Sequence, residues 1–218
     1  MSGSGKDENR AGRDERRADR GTEGPTFTER IPWKQAILIG VGAFVVGFLL
    51  ISGLVVVEGI LYDDPTDSTD DVDGDDEDEP GLLTILGWVY FSTQFVDLEV
   101  DAGLGSTSVD FFEILTEEAS IPAFVWRLVP MVVLVGAGYL LASRACERGA
   151  SPEAGAKMGA TVTSGYLLAV IAGALLFSFT DAEEGDSIGV SFTEALLLSG
   201  LLYPALFGAI GGYLALRE

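Results

Sequence analysis

The sequence predicts an all-α integral membrane protein with four transmembrane helices, an outer interfacial or re-entrant helix, and an acidic outer loop. Three observations carry this. Four apolar blocks are long enough to cross a bilayer. The acids lie almost wholly between those blocks, which reconciles 48% hydrophobic residues with a formal net charge of −21. The basic residues, in turn, cluster before the first block and between the second and third certain ones.

The first block, residues 36–61, contains one charge, Glu58. As a helix it reaches about 39 Å, against a hydrocarbon core of about 30 Å, so it spans with some tilt. Residues 1–32 before it form an expected disordered cytoplasmic tail. Within residues 1–30, seven basic side chains meet seven acids and almost no large apolar group is available for a core. Trp33 and Lys34 mark the membrane interface. The apolar run is too long for a cleavable leader, so the first span is expected to act as its own insertion signal. Residues 33–218 make up the membrane domain.

The outer insertion, residues 63–120, opens with a run over 63–79 holding eleven acids and no base. Part of it approaches a calcium loop. With Gly74 at the sixth position, however, Thr69 and Pro80 fall where the first and last acidic ligands belong. A solvated acidic loop is the better reading, and no metal site is expected. The block 81–96 is apolar and aromatic but short. The stretch 96–101 alternates like a strand or an extended edge, and 108–118 reads as a short amphipathic helix on the membrane face.

Three further spans follow, at 121–143, 158–179 and 194–216. Cytoplasmic loops attract Lys and Arg. None lies in 63–120 or 180–193, whereas Arg144, Arg148 and Lys157 sit between the second and third certain spans and Arg217 follows the last. Both termini are therefore expected inside. If 81–96 crossed the bilayer as a fifth span, every later loop would flip and break this pattern.

Residues Leu128, Pro130, Gly138, Tyr139 and Leu140 recur as Leu202, Pro204, Gly212, Tyr213 and Leu214, an L-x-P-x7-G-Y-L pattern. It reads either as a duplicated helical hairpin or as coincidence among common membrane residues. Pro130 and Pro204 are expected to kink their helices. Gly138, Gly155, Gly159, Gly208 and Gly212, members of small-residue pairs four apart, are expected at close helix contacts, within the chain or in a homo-oligomer.

Several functions are disfavoured. There is no histidine, no H-E-x-x-H or G-x-S-x-G motif, and no carboxylate pair inside a span, so no catalytic residue, cofactor or metal is assigned and the protein is not read as an enzyme. The lone Cys146 is either an acylation site or an inert thiol. No basic surface exceeds the acidic one, so nucleic acid is not an expected partner; the bilayer is. Glu58 and Arg127 are the ionisable residues well inside the certain spans. They are expected either to form an intramembrane ion pair or to snorkel separately to the outer headgroups. The abundant acids and scarce lysine, at positions 6, 34 and 157, suit a halophilic protein.

The N-terminal tail, the acidic outer loop, Gly87-Trp88-Val89-Tyr90-Phe91 with Phe95-Val96, and the Leu128–Pro130 and Gly138–Leu140 motif together resemble uncharacterised multi-pass membrane proteins of haloarchaea, often labelled transporters. That resemblance implies a transporter or channel component. The residues alone are equally met by a non-transporting assembly, sensor-partner or envelope protein. A polar cavity at mid-membrane would favour the first, and a sealed bundle the second.

Overall fold

A computed structural model describes residues 31–59, 80–102, 105–147, 149–180 and 186–217. The expectations for the N-terminal tail and for the 63–79 acidic run with its calcium-like stretch lie outside the described residues.

Four helices are long and apolar enough to cross a membrane. The first is α1 (Trp33–Glu58), which ends where Gly59 takes the left-handed conformation, φ 72°. The second, α4 (Ala123–Ala145), starts at Pro122 and runs unbroken through the buried Pro130. The third runs from Pro152 to Leu176 as two pieces, α5 (Pro152–Ala160) and α6 (Thr163–Leu176). It begins six residues before the expected 158, because the Ser151 hydroxyl accepts from the Ala154 N–H and Pro152 stands in the first turn. The connection between the second and third expected spans is therefore partly helical.

The fourth runs from Phe192 to Ala215 as α7 (Phe192–Glu194), a π-helical segment (Ala195–Leu202) and α8 (Tyr203–Ala215). The π register ends at a proline. The Tyr203 N–H reaches back five residues to the Leu198 carbonyl, and Pro204 has no N–H with which to continue the ladder.

The architecture departs from all-α. The insertion forms α2 (Leu82–Ser92), β1 (Leu98–Ala102), β2 (Gly105–Val109) and α3 (Phe111–Glu118), the last capped by the Asp110 carboxylate on the Glu113 N–H. Between the third and fourth long helices lie β3 (Phe179–Thr180) and β4 (Ser187–Val190). Together these strands make an antiparallel sheet in the order β2-β1-β4-β3, with Leu98 opposite both Val109 and Val190. The alternation at 96–101 marks β1. Its pairing with a segment ninety residues away is what an all-α reading lacks. Leu98 and Val190 are buried, while Glu99 and Asp101 face out or lie at the rim.

The sheet joins the insertion to the connection between the third and fourth long helices, so both stand at one end of the bundle, the sheet end. The insertion also closes on itself. Glu58, the last residue of α1, accepts hydrogen bonds from the Ser120 N–H (2.9 Å) and the Ile121 N–H (2.6 Å) at the entry to α4. Both ends of the insertion therefore meet. The eleven-residue α2 is about 16 Å long, roughly half a hydrocarbon core, and does not cross.

The helices pack as a bundle in which α4 and α5 both lie on α8, α1 lies on α6 and α4, and α6 lies on the π segment. The residues from Gly87 to Gln94 are buried without exception. Phe44, Phe48, Tyr90, Phe91 and Phe177 interlock in edge-on and stacked pairs around them, and the Trp88 indole N–H donates to the Phe177 carbonyl at 2.7 Å.

Candidate functional site

Two places gather chemistry: a polar cluster inside the bundle and a cleft at its sheet end.

The cluster forms where α2 stops. Ser92, Thr93 and Gln94 are buried polar residues at the end of an apolar helix, and Ser199 is buried in the π segment. Backbone leaving a helix at such a depth must find internal partners. The Thr93 hydroxyl and the Gln94 amide N–H both donate to the Tyr90 carbonyl, at 2.7 and 3.4 Å. The Tyr166 hydroxyl donates to Gln94 Oε1 (2.8 Å), and so does the Ser199 hydroxyl (3.0 Å). The hydroxyls of Tyr90 and Tyr166 lie 2.7 Å apart. Each hydroxyl has one hydrogen, and that of Tyr166 goes to Gln94, so Tyr90 is the donor to Tyr166. The network thus runs one way, from Tyr90 through Tyr166 to an amide oxygen shared with Ser199. An amide neither gains nor releases a proton near neutral pH, so the chain stops there. Along their helices, Ser199 lies about 10 Å and Tyr166 about 15 Å from the sheet end.

The cleft has a volume of about 540 Å³ and is lined chiefly by Asp110, Phe112, Glu113, Thr116, Phe124 and Arg127. Arg127 lies one turn into α4. Its guanidinium carbon sits 3.9 Å from the Phe95 ring centre and 4.3 Å from that of Phe112. Phe95 reaches this position from a left-handed backbone, φ 63°, in the turn after α2. That conformation costs an L-residue about 1–2 kcal/mol, so it persists because packing holds it. The Phe95 ring also tilts against Tyr203. Arg127 Nε is buried without a hydrogen-bond partner.

The expected Glu58–Arg127 ion pair is not made: among the described residues no hydrogen bond or ion pair joins them. Glu58 instead binds the two backbone N–H groups that lead into α4, and Arg127 turns to aromatic faces. Two backbone donors at a chain end offer a carboxylate fixed geometry without ordering a second long side chain.

A model described as a family of unknown function, DUF7978, matches residues 15–218. The chain belongs to this family. No curated protein and no solved structure matches it. The DUF7978 match covers the whole membrane bundle, so the cluster and the cleft both lie inside the family region.

The remaining expected residues of this DUF7978 chain serve packing. A methyl added at Gly138 would strike the Gly208 backbone; at Gly155, the Gly212 carbonyl; at Gly159, both Gly208 and Gly212. The five glycines therefore meet one another within one chain, and they give no argument for a second copy. Gly211, which the sequence did not single out, packs its backbone on Val135 and Tyr139. Pro130 sits within continuous helix, and Pro204 ends the π segment.

Cys146, just past α4, is partly buried, and burial pushes its thiol above the ordinary range, which lowers its reactivity. Among the described residues no three metal-ligating side chains gather. The cluster residues Tyr90, Gln94, Tyr166 and Ser199 were not picked from the sequence. The available signal was an amide and isolated hydroxyls within otherwise apolar runs.

Proposed function

We propose that this is a multi-pass membrane protein that does not itself transport, and that displays a sheet-bearing face on the outer side of the cell membrane. The observation that carries this reading is the filled interior. The end of α2 occupies the space between α1, α6 and the π segment with aromatic rings, and its Tyr90 and Thr93 hydroxyls and Gln94 amide are hydrogen-bonded within the bundle. A transport path needs a continuous line of polar or water-filled positions. Here the hydrogen-bonded chain ends at the Gln94 amide, which cannot pass a proton on.

The outward orientation is supported by charge. The insertion and the connection between the third and fourth long helices hold acids but no Lys or Arg, while Arg144, Lys157 and Arg217 lie at the other end. On this reading both termini are cytoplasmic and the sheet end faces out. The role then belongs to the class of assembly factors, sensor partners or envelope proteins. The L-x-P-x7-G-Y-L recurrence and the acid-rich, lysine-poor composition remain compatible with a duplicated hairpin and a halophilic source.

One observation favours a second reading, a transporter or channel component. A helix ending inside the bundle against a π-helical segment is the kind of discontinuity that transporters place at their substrate sites. Reconstitution of the full chain into liposomes at molar salt separates the two. Ion and small-solute flux equal to that of protein-free vesicles is expected. Saturable flux that scales with protein content would overturn the non-transporting reading in favour of the second.

A further inference from the structure

The sealed bundle accounts for the cluster but leaves the cleft at the sheet end without a role. Its chemistry is specific. A ring lying over the guanidinium carbon engages a face of that planar cation and leaves the edge N–H groups, which bind carboxylate or phosphate oxygens in plane. Phe95 and Phe112 lie against Arg127, whose Nε is buried, so the N–H groups open to a ligand are those of its two terminal nitrogens, and no hydrogen bond or ion pair ends on them among the described residues. Facing the same space are Asp110 and Glu113, neither of which pairs with Arg127. Asp110 uses Oδ1 to cap α3 at 3.1 Å, leaving Oδ2 available, and Glu113 is exposed.

A bare anion would meet two carboxylates, and a bare cation would meet Arg127. A molecule carrying both charges satisfies each wall. The volume of about 540 Å³ lies within the range of small-molecule sites, and the apolar side of Phe124 flanks it.

We propose that this cleft binds a small zwitterion, its anionic oxygens on the edge of Arg127 and its ammonium on Asp110 and Glu113. Phe95 and Phe112 are positioning residues, holding the guanidinium against the turn and the helix that bear them. A free amino acid and an amino-phosphate lipid headgroup share this chemistry. The inference goes beyond the proposed function and is independent of it, since a site at the sheet end neither requires nor forbids flux.

Isothermal titration of the purified full chain in detergent, with four probes, tests it. L-alanine or O-phosphoethanolamine should bind saturably at one site per chain. Acetate and ethylammonium, each carrying half of the pattern, should bind about tenfold or more weakly. Tighter binding of O-phosphoethanolamine assigns the site to a lipid headgroup, and tighter binding of L-alanine to a free solute; either supports the proposal. Arg127→Gln should lower affinity by about tenfold or more.

Should Arg127→Gln fail to fold, Asp110→Asn keeps a capping oxygen and Glu113→Gln changes an exposed side chain, and each should weaken the zwitterions while leaving acetate unweakened. The proposal is overturned by absence of saturable binding of both zwitterions, by acetate or ethylammonium binding as well as they do, or by unchanged affinity in the folded variants.

Discussion

Glu58 and Arg127 show how a charged residue in an apolar helix chooses a partner. Both lie within a turn or so of the sheet end, and a carboxylate–guanidinium pair is the obvious way to offset their burial. Yet the chain offers each something nearer. The turn into α4 presents two backbone N–H groups that need acceptors, and Glu58 supplies them. The turn after α2 and the start of α3 present two aromatic rings, and Arg127 lies against both. The two residues therefore act separately. Glu58→Gln should destabilise the protein by about 1–3 kcal/mol, because one backbone donor then meets an amide N–H instead of an oxygen. Arg127→Gln should cost about 0.5–2 kcal/mol through lost ring contacts. In a double-mutant cycle read by thermal unfolding in detergent, the two costs should add within about 0.5 kcal/mol. A coupling well above that would restore the direct ion pair.

Among the elements, helix contact is decided by which glycines face backbone and which face open space. Gly138 and Gly136 are two residues apart on α4 and differ completely. A methyl at Gly138 meets the Gly208 backbone, whereas nothing lies within 4 Å of one at Gly136. Backbone cannot swing aside as a side chain can. Gly138→Ala should therefore force α4 and α8 apart, at a cost of about 1–3 kcal/mol that outweighs the roughly 1 kcal/mol gained in helix propensity. Gly136→Ala should keep that gain and unfold no earlier than the wild type. Equal midpoints for the two variants, followed by circular dichroism in detergent, would mean that these helices are not held by the glycine contact. The π segment belongs to the same scale: it sets Ser199 opposite Gln94 and ends where Pro204 supplies no N–H.

At the scale of the whole molecule, the sheet and the Glu58 hydrogen bonds tie the insertion and the connection between the third and fourth long helices into one face. On the proposed orientation, that face lies outside the membrane and the opposite end of the bundle inside. In a Cys146→Ala background, cysteine placed at Ser106, exposed on β2, should react with an impermeant thiol reagent on intact cells. Cysteine at Ser151, exposed at the start of α5, should react only after permeabilisation. Labelling of both from outside, or of Ser151 alone, would contradict the orientation.

The amino-acid sequence by itself determined that four helices are long and apolar enough to span, that residues 81–96 are short beside them, and that Gly138, Gly155, Gly159, Gly208 and Gly212 lie at helix contacts. These properties follow from local length, hydropathy and side-chain size, which are legible position by position. Only the tertiary structure decided what meets what. The pairing of β1 with β4 depends on segments about ninety residues apart, and an alternating stretch does not name its partner. The Tyr90–Tyr166–Gln94–Ser199 network draws on three elements, each of which carries an ordinary polar residue when read alone. Glu58 and Arg127 were visible as charges in apolar runs. Their partners were not, because backbone N–H groups and ring faces occur along the whole chain and become ligands only where the fold brings them within reach.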